Sequence, residues 1–242
     1  MLLSNQEIPN ILVSDKCIKE ILSKKSFYAE YQPIVNVKTL DIFGYEALSR
    51  FQYRGLNIPP KGVFEYCHKN VDLFFTLEMA TKKYQFQNRP DNAKLFINFD
   101  PHVFYKKDGA NGIFKFFSKQ KDFVIELVEN SQQSVNIELL IDIFRKLDYK
   151  YAIDDFFQDN TLLSIFLLNN CDYLKLDMGI LKELKANKSF YLIVDGLVSF
   201  AHSSGKLVIL EGVESKNDLQ IAKDRDIDLV QGFYFEKQFI RK

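Results

Sequence analysis

Eight residues, Glu46, Asn98, Glu126, Asp154, Asp155, Lys175, Glu211 and Gln231, each lie inside or near the C-terminal end of an otherwise apolar, strand-forming run. Burying a charge or an amide in such a run is costly unless something compensates it. Five of the eight are carboxylates. Gathered at one place they repel one another and raise their own pKa values unless cations are present. Hard oxygen donors of this kind suit magnesium, manganese or calcium. Two divalent ions a few ångströms apart are a recurrent device for phosphoester hydrolysis, in which they neutralise the phosphate, generate hydroxide and stabilise the leaving oxygen. The adjacent Asp154 and Asp155 could share such a pair, one bridging and one reaching the second ion. Consecutive strand residues face opposite sides, so both can serve only if the strand ends there, and the chain is expected to turn at Phe156. Lys175 would orient or polarise the water, and Glu211 would act as a further ligand or proton acceptor.

A single acid at a strand end is more often a helix cap or a loop salt bridge. Eight such residues on seven successive strand ends are poorly explained that way. Other features read as structural. His68, His102 and His202 fall in different contexts without metal-ligand spacing, so surface or capping roles are expected and a His-rich metal site is not. Phe116–Phe117 and Phe156–Phe157 read as packing residues rather than a base-stacking platform. Cys17, Cys67 and Cys171 are odd in number and far apart, as expected of buried or idle thiols in a reducing compartment.

The elements that must position these residues follow a rhythm of strand-like runs and helix-like stretches. Strands are expected at Tyr28–Val37, Ile42–Phe51, Lys94–Phe99, Phe123–Val128, Tyr151–Asp155, Tyr173–Asp177, Leu207–Glu211 and Leu229–Phe235. Amphipathic helices are expected at Val71–Gln87, Asn136–Leu147, Thr161–Leu168, Lys188–Ser203 and Ser215–Arg225, the last opening with a Ser-x-x-Asp cap signal. The connection from Val37 to Ile42 is too short for a crossover helix, so the first two strands pair antiparallel. The fold class expected is α/β: a single (β/α)8 TIM-like barrel in a variant form, its strand ends converging on one mouth. Residues 1–26 form an N-terminal extension with a helix from about Asp15 to Lys24, and residues 27–242 the barrel.

Composition narrows the partners. The 242 residues fit one barrel domain, and 47% hydrophobic with 26% charged residues is ordinary for a globular enzyme. Thirty-two basic and 32 acidic residues cancel, so no net positive field holds a nucleic-acid polymer or an anionic membrane. No run approaches a membrane span, and no signal peptide is evident. A cytoplasmic location is the expectation.

In these motifs the chain resembles the EAL-domain family of cyclic di-GMP phosphodiesterases over about residues 27–240. The match runs through YQPIV at Tyr31–Val35, EALSR at Glu46–Arg50, FINFDP at Phe96–Pro101, FVIELVEN at Phe123–Asn130, YAIDDF at Tyr151–Phe156, YLKLD at Tyr173–Asp177, EGVES at Glu211–Ser215 and QGFYF at Gln231–Phe235. The resemblance implies hydrolysis of cyclic di-GMP to linear pGpG with two Mg2+ or Mn2+ ions. It assigns metal ligation to Glu46, Asn98, Glu126, Asp154 and Asp155, and places Lys175, Glu211 and Gln231 around the metals and the attacking water. Arg50 corresponds to an arginine that binds a substrate phosphate, with a guanidinium fork shaped for that task. Glu129 corresponds to a glutamate bracing the loop after its strand, and Gln32 and Glu214 to positions lining the dinucleotide pocket. A homodimer is implied by the same analogy.

The sequence departs from the family pattern after the paired aspartates. DFFQDNTLL stands where DFGTGYSSL is usual, so Phe157 and Asp159 replace glycines; Val128 replaces a threonine, and Glu236–Lys237 stand where a proline is expected. A loop needing positive φ would be strained by Phe157. The alternative expectation is therefore a weakly active or inactive EAL-like domain that serves as a cyclic di-GMP receptor or protein-interaction module. Enolisation by lysine and metal-bound carboxylates is a more remote alternative.

Overall fold

The computed structural model describes residues 13–128, 137–156 and 164–242. In chain order the elements are α1 (Asp15–Lys24), β1 (Phe27–Asn36), β2 (Ile42–Tyr53), β3 (Leu56–Ile58), α2 (Pro60–Cys67), α3 (Val71–Gln87), β4 (Lys94–Asn98), a 3-10 turn (Pro101–Tyr105), α4 (Gly109–Phe117) and β5 (Phe123–Val128). They continue with α5 (Ile137–Lys146), β6 (Lys150–Phe156), α6 (Ile165–Asn170), β7 (Tyr173–Leu176), α7 (Gly179–Ala186), α8 (Phe190–Ser203), β8 (Leu207–Leu210), α9 (Lys216–Asp224), β9 (Leu229–Val230), a 3-10 segment (Phe233–Gln238) and β10 (Ile240–Arg241).

Eight strands close into a barrel in the order β1-β9-β8-β7-β6-β5-β4-β2, with β2 returning to β1. β1 and β2 pair antiparallel from Phe27↔Phe51 to Val35↔Ile42, as the short Val37–Ile42 connection requires. β1 is also antiparallel to β9, so it is the one reversed strand among seven parallel ones. β3 extends β2 as a hairpin, and β10 adds to β1.

Strand periodicity divides each barrel strand between two environments. Leu95, Ile97, Ile125, Leu127, Leu174, Val208 and Leu210 face the surrounding helices in the large outer core. Ile34, Phe96, Val124, Ala152, Tyr173, Ile209 and Leu229 form a second cluster that plugs the barrel interior. Phe96 meets Tyr173 edge to face at 5.2 Å. Gly44 occupies the corresponding place on β2, where a Cβ would lie 2.7 Å from the Lys94 carbonyl oxygen and 3.3 Å from the Phe96 ring. The plug sets what comes next: two residues further along each parallel strand, and two residues earlier on reversed β1, the chain again faces inward, at the mouth.

Several helices have local explanations. Ser14 caps α1 by accepting from the Cys17 N–H, Asn70 caps α3 through the Leu73 N–H, and Ser215 with Asp218 closes a capping box on α9. The expected last strand, Leu229–Phe235, is shorter than its apolar run implies. Val213 donates to the Gln231 carbonyl and accepts from the Tyr234 N–H, folding the chain over after Val230. Gly232 permits this, since a Cβ there would lie 2.2 Å from the Val213 carbonyl oxygen. Helices α2, α4 and α7 were not expected from the sequence. All three cysteines are buried free thiols. Among the described residues, no helix is long and apolar enough to cross a membrane.

Candidate functional site

The inward positions above the plug are Gln32, Glu46, Asn98, Glu126, Asp154, Lys175, Glu211 and Gln231, one from each of the eight strands or the residue following it. Period two therefore converts an apolar layer into a polar one. Lys175, 1% exposed, lies at the centre. Its Nζ is 2.7 Å from Glu126 Oε1, 2.7 Å from Asp154 Oδ1, 2.8 Å from Glu211 Oε1 and 3.6 Å from Glu46 Oε2. Asn98 Nδ2 donates to Glu46 Oε1 at 2.9 Å and Glu126 Oε2 at 3.3 Å. Gln231 Nε2 donates to Glu46 Oε2 at 2.6 Å and Gln32 Oε1 at 3.3 Å.

The paired aspartates reach the site by a route different from the one expected. β6 does not end at Asp155 but continues to Phe156, which pairs with Leu176. Ile153 pairs with Leu174, so Asp154 and Asp155 together stand opposite Lys175 alone. That is a β-bulge, and its extra residue, Asp155, adopts φ 54°. Left-handed backbone costs an ordinary L-residue about 1–2 kcal/mol, and aspartate is among the side chains that tolerate it best. The bulge turns both carboxylates to one side.

Ligand atoms of Glu46, Glu126 and Asp154 all lie within 4.8 Å of one another, as do those of Asp154, Asp155 and Glu211. Asp154 belongs to both groups. Five carboxylates thus face one ammonium, and the electrostatics record the imbalance. Burial and then Asp154 push Asp155 up to about 6, and burial, with Asp154 and Glu46, pushes Glu211 up to about 8 despite Lys175. Burial and the Glu46 charge hold Glu126 well above the usual carboxylate range. Glu46 alone is lowered, because Lys175, Gln231 and Asn98 outweigh its burial. For Lys175, burial opposes the charge but the surrounding carboxylates prevail and raise it. Such a donor set, all oxygen and over-negative, fits divalent cations of the magnesium and manganese type.

A cavity of about 300 Å³ opens above these residues, lined also by Gln32, Asp177, Glu214 and Phe233. Glu214 is exposed at its rim. Arg50 stands apart, lining a neighbouring cavity of about 720 Å³ with its guanidinium 2.8 Å from Glu30. Glu129 and the Phe157–Asn160 loop lie outside the described residues. Sequence reasoning missed Glu30, 6% exposed, which also takes a charge-assisted bond from Arg241. Its signal was available, since Glu30 precedes Gln32 by two and must share its face. The reading of the histidines also needs correction. His68 and His102 are not in separate contexts: their rings stack at 4.2 Å and both bond Asp100. Thirty-four positions separate them in sequence, and α3, which packs against both α2 and the turn after β4, brings them together.

The model of the EAL domain matches residues 16–238. The chain is 22% identical over 232 residues to the probable cyclic di-GMP phosphodiesterase PdeN of Escherichia coli, covering 91% of this chain and 45% of that protein. It spans less than half the length of the first curated relatives it matches. The EAL domain of FimX from Pseudomonas aeruginosa, solved bound to c-di-GMP, superposes with a TM-score of 0.75 at 19% identity, over 91% of this chain and 95% of that one. The Bacillus subtilis YkuI protein, solved with substrate c-di-GMP and calcium, gives a TM-score of 0.73 at 18% identity over 90% and 56%.

Proposed function

Because the chain belongs to the EAL domain family, whose members include cyclic di-GMP phosphodiesterases, we propose that it is a metal-dependent hydrolase that opens cyclic di-GMP to linear pGpG. The observation that carries this reading is the pair of three-carboxylate groups sharing Asp154 around Lys175. Glu46, Asn98, Glu126 and Asp154 would hold one Mg2+ or Mn2+, and Asp154 with Asp155 and Glu211 a second. Bound there, such ions would supply Lewis-acid neutralisation of the phosphate and acidify an attacking water.

The chain's own residues have the remaining tasks. Lys175 keeps the carboxylates gathered and would orient the water. Glu211, which burial and its acidic neighbours push up to about 8 in the metal-free chain, would be ionised by a neighbouring cation and would then accept a proton from the water. Gln231 and Asn98 lock Glu46 from two sides, fixing the carboxylate before substrate arrives. In the overall reaction water adds across one P–O bond, leaving a 5′ phosphate while a proton passes to the departing 3′ oxygen. Arg50 would exchange Glu30 for a substrate phosphate, Gln32 and Glu214 would line the dinucleotide pocket, and Glu129 would brace its loop.

Turnover of cyclic di-GMP with magnesium or manganese tests the proposal, with Glu46→Ala and Asp154→Ala as controls expected to abolish it. A folded wild-type chain inert with both ions overturns it. The second reading, a receptor or interaction module, is favoured by Phe157 and Asp159 in place of the family glycines. It requires cyclic di-GMP binding without turnover, or binding of a protein partner alone.

A further inference from the structure

We propose that His68, His102 and Asp100 form a second metal site, specific for a transition metal of the zinc class and distinct from the all-oxygen centre. His68 follows α2 directly, while Asp100 and His102 flank Pro101 at the start of the 3-10 turn after β4. Asp100 is fixed as the cap of that turn, its Oδ1 accepting from the His102 N–H at 2.9 Å. The same carboxylate faces both imidazoles: His68 Nε2 lies 2.7 Å from Oδ2 and His102 Nδ1 2.6 Å from Oδ1. One ligand atom from each of the three residues lies within 4.8 Å of the other two.

The rings are held in place. They stack on each other with planes 19° apart, and both pack against Phe74, which is fully buried. The three side chains are 28–31% exposed, so an ion can reach them from solvent without unfolding anything. Two imidazole nitrogens and one carboxylate oxygen, with room for water, are the donor set of an open zinc-type site, whereas magnesium avoids nitrogen. The neighbouring buried pair Glu78–Lys82, 3.1 Å apart on the same cavity wall, cancels its own charge, so the carboxylate in contact with the two imidazoles is that of Asp100. Asn98 also lines this cavity, so it stands between the two centres.

Equilibrium dialysis of the full chain against zinc, together with visible spectra after cobalt substitution, tests the assignment without reference to hydrolysis. Asp154→Asn removes the residue common to both carboxylate groups and is expected to retain one zinc per chain, with the intense absorption of a low-coordinate, imidazole-bound cobalt. His68→Gln and His102→Gln, each made in that background, keep a side-chain donor toward Asp100 but lose the imidazole ligand. Each should weaken zinc binding by at least about tenfold and abolish the cobalt spectrum, with circular dichroism unchanged. Retention of zinc and spectrum by the folded glutamine variants overturns the site, as does absence of bound zinc from the folded Asp154→Asn chain. If the glutamine variants do not fold, imidazole resonances of Asp154→Asn alone decide: two histidines shifted by stoichiometric zinc support the site, and none shifted overturns it.

Discussion

Replacing Lys175 by methionine isolates the one positive charge within the carboxylate layer. The side chain is 1% exposed and within 2.8 Å of three carboxylates, so its removal strands buried anions rather than solvated ones. Breaking a buried ion pair from one side costs roughly 3–5 kcal/mol. A second route gives the same scale. A carboxyl that titrates near 4.3 when unfolded but stays protonated at pH 7 in the fold costs about 4 kcal/mol, at about 1.4 kcal/mol per pH unit. Methionine should force at least one more carboxyl, Glu46 or Asp154, into that state. The sign follows from proton counting: the folded variant binds more protons than the unfolded chain, so its stability falls as pH rises above the unfolded carboxyl pKa. Urea unfolding in the presence of a chelator should therefore show a deficit of about 3–5 kcal/mol at pH 7 that shrinks toward about pH 5. Manganese should narrow it by restoring positive charge. A deficit below about 1 kcal/mol, or one independent of pH, would refute the counter-ion role.

Manganese affinity should rise from about pH 6 to pH 8, by up to about tenfold per pH unit for each proton displaced, because Asp155 titrates at about 6 and Glu211 at about 8 in the metal-free chain. Calorimetry in buffers of different ionisation enthalpy should detect the released protons, and a flat profile contradicts the assigned ligands. Arg50→Ala should raise KM about 10- to 100-fold with kcat little changed, the worth of a charge-assisted hydrogen bond to phosphate; an unchanged KM rules out that contact. Gly232→Ala places a methyl 2.2 Å from the Val213 carbonyl oxygen and should destabilise the fold by about 1–3 kcal/mol while loosening Gln231, read from urea unfolding and manganese affinity.

The barrel was legible because its strands alternate so regularly: Phe96 then Asn98, Val124 then Glu126, Ile209 then Glu211 already state which face turns inward. The short Val37–Ile42 link fixed the reversed strand on reach alone. What the sequence concealed is geometry created by pairing. Nothing in YAIDDF reveals a bulge until Leu174 and Leu176 are seen to skip past Asp154 and Asp155. The histidine pair is hidden for the same reason, being a product of tertiary packing. Helix α4, GANGIFKFF, carries two glycines and bulky aromatics that mask its periodicity, though Ile113 and Phe117 are fully buried in the outer core. Helix α2 begins at Pro60 in a Pro-Pro pair that reads as loop but supplies the favoured first-turn residue.

The reversed first strand gives the molecule a usable handle. Seven strands carry their downstream connections to the working end, but β1 travels away from it and delivers the Val37–Asp41 turn to the opposite base. Lys38 there points outward with its side chain 77% exposed. A fluorophore, surface tether or fused protein attached at that turn would ride on the underside of the barrel, reporting on or immobilising the chain while the open end stays clear.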